Sequence, residues 1–200
     1  MTTFVPPPVW SCTVTFSFIN HAVLSSLDLS GLTLTGSGSV TISDNPLMTS
    51  ITFPSTSWTR ASNILFIQDN GITGTLATLP CTMTFSQLEF QNNSSMTSMS
   101  FSLATRTDRL RANGCDLGYV DIRAIFNDWD NITSINLRDN SMTAAEVNNY
   151  LVDWDGEVTS GSYAVDIAGS NAAPDTTSGG NNGSAAKTSL QGKGLTVTTS

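Results

Sequence analysis

Apolar and polar residues alternate along this chain in short bursts, and the bursts recur. Val40-Thr-Ile42-Ser-Asp-Asn45 returns as Leu65-Phe-Ile67-Gln-Asp-Asn70, as Leu88-Glu-Phe90-Gln-Asn-Asn93 and as Ile135-Asn-Leu137-Arg-Asp-Asn140. Leu110-Arg-Ala112-Asn-Gly-Cys115 stands between the last two, with cysteine in the asparagine slot. The Asn/Cys positions 45, 70, 93, 115 and 140 step by 25, 23, 22 and 25 residues. Apolar residues at i and i+2 put one face of a short strand into a core and turn the residue between them outward. A buried amide at the end of each strand can bond backbone groups of neighbouring turns. Strands stacked about 4.8 Å apart then bury a continuous core that no single repeat could bury alone.

The ladder extends in both directions. Phe16-Ser-Phe18 lies one period before Val40, and Leu27-Asp-Leu29 falls on the return side of that first turn. Val165-Asp-Ile167 and Leu195-Thr-Val197 continue it at looser steps of 30 residues, giving about eight rungs. The early connections are rich in Ser, Thr, Pro and Gly (Pro46, Gly71, Gly74), poor helix material, and are expected to be extended or 3₁₀. Later ones predict helices. Thr143-Ala-Ala-Glu146 is a capping box before Val147, Tyr150 and Leu151, and Tyr119 to Trp129 places Ile122, Ile125 and Phe126 on one side. Asp128-Trp129-Asp130 and Asp153-Trp154-Asp155, again 25 apart, echo the period. The low-complexity stretch 171–189 is expected to be a return loop of the last coil.

These residues follow L-x-x-L-x-L-x-x-N/C-x-L, and the chain resembles a leucine-rich-repeat protein. The resemblance implies an α/β solenoid: a horseshoe of about eight coils with a parallel β-sheet on its concave face and irregular to short-helical returns on the convex face. One domain would fill residues 1–200, with an N-terminal cap and first coil over 1–35, regular repeats over 36–155, and irregular C-terminal coils and cap over 156–200. The run from Ser178 to Val197 is similar to the C-terminus of leucine-rich-repeat proteins encoded by bacteriophages and their bacterial hosts. That similarity implies a virion component, a capsid or tail decoration or host-recognition module. Its partners would be other virion proteins or a host surface protein or glycan, with several copies in one assembly. A bacterial surface or secreted adhesion module is the alternative.

Composition narrows the function further. Charged residues make up 12% of the chain, about half the usual share, while Ser and Thr fill 55 of the 200 positions. A net charge of −8 and a pI near 4.3 argue against an electrostatic nucleic-acid binder. No run approaches the ~18 apolar residues of a membrane span, and Met1 to Pro8 shows no basic-then-apolar leader, so synthesis in the cytoplasm is expected. Cys12, Cys81 and Cys115 are widely spaced and read as buried free thiols.

No catalytic motif emerges, and neither an enzyme, a metal nor a cofactor is expected. The single histidine, His21, has no companions at ligand spacing. The acidic pairs around Trp129 and Trp154 read as helix caps. The residues between the apolar pairs are the better candidates, because they line the sheet face. Their central column is Thr41, Phe66, Glu89, Arg111, Asn136, Asp166 and Thr196, flanked on one side by Ser39, Ile64, Gln87, Arg109 and Ser134 and on the other by Ser43, Gln68, Gln91, Asn113 and Arg138. Phe66, Glu89, Arg109, Arg111, Asn136, Arg138 and Asp166 are the expected contact residues, with Phe66 and Ile64 exposed. Three arginines among amides suit carboxylate, phosphate or sugar hydroxyls; surface ion pairs with Glu89 and Asp166 are the plainer alternative. A carbohydrate-cleaving β-helix would need close carboxylates, whereas Glu89 and Asp166 are three rungs, roughly 14 Å, apart. Asn45, Asn70, Asn93, Cys115 and Asn140 form the expected structural ladder.

Overall fold

The computed structural model describes residues 3–4, 10–12, 15–34, 38–54, 61–79, 84–101 and 106–200. Eight short strands stack side by side in one parallel sheet. In chain order they are β1 (Phe16–Ile19), β2 (Val40–Asn45), β3 (Ala61–Asn70), β4 (Thr84–Glu89), β5 (Arg109–Arg111), β6 (Ser134–Asn136), β7 (Ala164–Asp166) and β8 (Thr196–Thr198), each hydrogen-bonded to the next, and Arg106–Thr107 also pairs with β4. Parallel neighbours require a crossover between successive strands, so the chain winds as a β-solenoid. Two apolar columns run down its interior. Phe16, Val40, Leu65, Leu88, Leu110, Ile135, Val165 and Val197 form one; Phe18, Ile42, Ile67, Phe90, Ala112, Leu137 and Ile167 form the other, and all are buried.

The returns change character along the chain. About four successive turns carry a second strand: Ser26–Asp28, Ser50–Thr52, Thr73–Leu79 and Ser95–Phe101, the first of them paired also with Thr3–Phe4. Leu27, Ile51, Leu76 and Met99 supply their buried positions. The expectation of extended early returns holds where they are described. Beyond Phe101 helices replace strands. Helix α1 (Ala144–Glu157) begins at the expected capping box, with the Thr143 side chain accepting from the Glu146 amide and Glu146 accepting from the Thr143 amide. It buries Val147, Tyr150, Leu151 and Trp154.

Several local expectations are corrected. Tyr119 to Trp129 forms no helix beyond a 3₁₀ turn at Arg123–Ile125. The Asp121 carboxylate accepts from the Arg123 amide, and the Val120 amide donates to the Tyr150 hydroxyl, which diverts groups a helix would need. The two Asp-Trp-Asp runs are not equivalent. Asp128 caps a 3₁₀ turn over Trp129–Asn131, whereas Trp154 lies inside α1, its flanking Asp153 and Asp155 reaching Arg123 and Lys193. The stretch 171–189 is not a plain loop, because helix α2 (Gly183–Gly192) starts within it, capped by Asn182 and packed on α1. Gly183 is required there: a Cβ would lie 2.0 Å from Asn148 Oδ1 and 2.9 Å from its Cα. The last rung is also shifted. Val197, not Leu195, pairs with Val165, and Thr198, not Thr196, pairs with Asp166. Leu195 instead closes α2, its amide donating to the Leu190 carbonyl.

The asparagine ladder is continuous and runs one way. Asn70 Oδ1 accepts from the Asn45 amide (3.3 Å), Asn93 Oδ1 from the Asn70 amide (3.2 Å), and Asn140 Oδ1 from the Leu117 amide (3.1 Å). Each side-chain nitrogen donates to a carbonyl one turn earlier: Asn45 to Phe18, Asn70 to Ile42, Asn93 to Ile67 and Asn140 to Ala112. Cys115 does the same with its thiol, 3.1 Å from the Phe90 carbonyl. Burial pushes that thiol up to about 12, against a hydrogen bond from the Asn93 backbone, so it stays protonated and donates. The Cys12 side chain and Cys81 lie outside the described residues. Asn171 is a further member. It accepts from the Asn140 and Met142 amides and donates to the Leu137 and Ile167 carbonyls.

Candidate functional site

The outward residues of β3 to β7 converge into one polar field, because strand alternation leaves them on the face opposite the core. Pairing aligns Thr41, Phe66, Glu89, Arg111, Asn136 and Asp166 in a single row across the strands, and Gln87, Arg109 and Ser134 beside it. The expected columns are therefore real as far as Asp166.

A chain of amides crosses this field. Gln68 Nε2 donates to Gln91 Oε1 (2.9 Å) and to Glu89 Oε2 (3.1 Å), and Gln91 Nε2 donates to Asn113 Oδ1 (2.9 Å). Arg109 Nη1 donates to Gln87 Oε1 at 3.0 Å, while Arg109 Nε and the Ser134 hydroxyl beside it are buried without a partner among the described residues. Arg111 lies 3.8 Å from Glu89, and Arg138 lies 3.5 Å from Asp166 and 3.3 Å from Asp139. The three arginines thus do not form one free cationic cluster; each faces a neutral or acidic neighbour. Asn136 turns its Oδ1 to the Arg138 amide. Phe66 and Ile64, expected to be exposed, are half-buried by the side chains around them.

Glu89 is the unusual member, only 4% exposed although it points away from the core. Its burial pushes the carboxyl above the ordinary carboxylate range, opposed by the Arg111 charge and the Gln68 hydrogen bond. A carboxyl with a raised value in the folded state binds protons more readily there than in the unfolded chain. Its contribution is therefore full below about 4.5 and is lost as pH rises through the folded value. Glu89→Gln is expected to flatten that part of the stability curve and to leave the variant at least as stable as the parent at pH 7. Urea titrations of both proteins at pH 4 and pH 7 measure this; a variant less stable at pH 7 would mean that the Arg111 contact outweighs desolvation.

His21 sits in the ladder slot of the first turn. Its backbone amide donates to Asn45 Oδ1 at 2.9 Å, and its ring stacks on Phe18 at 4.0 Å between centroids. Among the described residues no group of three His, Cys, Asp or Glu side chains is placed to hold a metal ion. No described helix is long and apolar enough to cross a membrane.

Sequence reading missed a second column beside the ladder. Asn20, Asp44, Asp69, Asn92, Gly114 and Asp139 each precede a ladder residue and adopt positive φ, between +54° and +68°. Asn, Asp and Gly occupy this left-handed region at the lowest cost, so the recurrent Asp-Asn pair was itself the signal. Asn171 was missed because one residue is inserted before it and the positive φ moves to Gly169.

With this geometry established, the chain was compared with known proteins. No protein family, curated protein or solved structure matched it. The carboxylates of the field are each turned toward an arginine or an amide, and the polar side chains span consecutive strands on a rigid frame. Such an arrangement offers many neutral and paired polar groups to whatever lies against the face.

Proposed function

We propose that the protein is a non-enzymatic binding protein, a leucine-rich-repeat horseshoe of about eight coils whose concave face is the sheet of β1 to β8. It serves as a component of a bacteriophage virion, a capsid or tail decoration that contacts other virion proteins or a host surface protein or glycan. The observation that carries the binding role is the linked row Gln68–Gln91–Asn113 with Glu89–Arg111 and Arg138–Asp166 beside it, spread over five neighbouring strands. Low overall charge supports the setting, since a neutral-polar surface packs into an assembly with little desolvation of ions. The C-terminal likeness to phage-encoded repeat proteins supports it as well. The second reading, a bacterial surface or secreted adhesion module, rests on the same face and differs in location.

Two measurements test this. The protein is expected to co-sediment with particles through a density gradient; recovery from the cell envelope alone would favour the adhesion module. Arg138→Glu changes an exposed member of the face, so particle or host-cell binding is expected to weaken about tenfold or more with the melting temperature nearly unchanged. Unchanged binding would leave the arginines with only their ion pairs.

A further inference from the structure

Charge on the sheet face is not balanced everywhere. Arg111 is ion-paired with Glu89, and Arg138 with Asp166 and Asp139. Arg109 has no acidic partner among the described residues. Asp108, its neighbour in sequence, is taken up by Asn127, whose Nδ2 donates to the carboxylate at 2.9 Å. The head of Arg109 is held by one bond, from Nη1 to the neutral Gln87 Oε1 at 3.0 Å.

The strand beside it carries a matching deficit. Arg109 and Ser134 are direct partners in the register of β5 and β6, and Arg109 Nε and the Ser134 hydroxyl are both closed to water and unpaired among the described residues. Buried polar atoms are nearly always paired, so two unmet atoms side by side point to an acceptor from outside the chain. A guanidinium only donates, and a hydroxyl turns to suit its neighbour, so one acceptor group serves both. A carboxylate does this with its two oxygens, one on the guanidinium edge and one on the hydroxyl. Release of the single Gln87 bond lets the Arg109 side chain rise off β6 and opens both atoms. A dianionic phosphate suits the place less, because Glu89 and Asp166 stand on the same face and the other two arginines are already engaged.

We propose that Arg109 and Ser134 form a carboxylate subsite and that its ligand is an acidic glycan of the uronate type. This rests on the reading of the sheet as the binding face. The glycan is favoured over an acidic peptide by what lies further along the same strands. Four residues on, roughly 13 Å away, Gln91 and Asn113 are joined to each other and half-buried, each amide with hydrogen-bonding capacity left over. Amides so placed meet hydroxyls, which a polysaccharide presents on every unit and a run of acidic residues does not.

Titration calorimetry of the full chain with polygalacturonate, its methyl ester and polyglutamate tests this. Polygalacturonate is expected to bind, and the ester, which keeps the sugars and loses the charge, to bind about tenfold more weakly or less. Arg109→Gln is expected to weaken polygalacturonate about tenfold with the circular dichroism unchanged, and Ser134→Ala about threefold with no loss of stability to urea, since it removes an unmet hydroxyl. No binding of polygalacturonate, equal binding of the ester, or an affinity indifferent to Arg109→Gln would overturn the proposal. Polyglutamate bound as tightly as polygalacturonate would overturn the glycan and make the ligand an acidic protein segment. The face and the subsite fail separately: particle binding that falls in Arg138→Glu while Arg109→Gln leaves polygalacturonate unmoved overturns the subsite alone. Particle binding indifferent to Arg138→Glu, with polygalacturonate lost in Arg109→Gln, upholds the subsite and overturns the virion contact.

Discussion

Asn93→Ala is expected to lower unfolding stability by about 3 kcal/mol or more. Asn93 is fully buried, and its Nδ2 donates to three carbonyls, those of Ile67 (2.7 Å), Phe90 (2.8 Å) and Gln91 (3.3 Å). Its Oδ1 accepts from the Asn70 amide. Each buried group left unpaired costs about 1–3 kcal/mol, and because neighbouring groups relax together the sum is not reached. Asn93→Asp keeps the acceptor but removes every donor and adds a buried charge, so it should be at least as damaging. Urea unfolding of the three proteins decides the matter; a loss under about 1 kcal/mol for the alanine variant would reduce the ladder to decoration.

Trp154→Ala is expected to cost about 3–5 kcal/mol, the range for emptying a large aromatic site. Trp154 is the largest of the fully buried side chains among the described residues, 1% exposed, and its ring lies 5.3 Å from that of Tyr150 one turn earlier in α1. Trp129, its counterpart one period before, is only partly buried and rests on Phe126 at 4.8 Å between centroids. Trp129→Ala should therefore cost clearly less. Calorimetry of both variants checks the order, and equal losses would mean that the two tryptophans play the same part after all.

Much of the solenoid was legible because its signals repeat. An apolar pair separated by one residue, with Asn three positions on, fixes both the inward face and the turn, and five copies leave little room for another register. The central column from Thr41 to Asp166 could be written down for the same reason. Where a signal is single, reading fails. Gly183 to Gly192 begins and ends in glycine and is short, so α2 rests on the Asn182 cap and on burial of Ala186 and Leu190, which only packing against α1 reveals. Tyr119 to Trp129 has the apolar spacing of a helix, yet side chains on other turns and on Asp121 take up its backbone groups. The last rung slipped by two because Leu195 is as apolar as Val197, and only the end of α2 decides which of them lies in the sheet. On the candidate face the residues were found but their balance was not. That Glu89 would be buried, and Arg138 engaged by two acids, depends on side-chain directions that periodicity does not carry.

The direction of the ladder bears on how the chain is made. Every ladder side chain serves the turn before its own, accepting from that turn's amide or donating to its carbonyl. A turn leaving the ribosome thus has its buried polar groups unmet until the following 22–25 residues have emerged. Synthesis then completes the solenoid one turn in arrears, with the newest turn always provisional. Loss of a C-terminal turn therefore orphans backbone groups in the one that remains, whereas loss of an N-terminal turn takes backbone partners from the ladder side chain of the next.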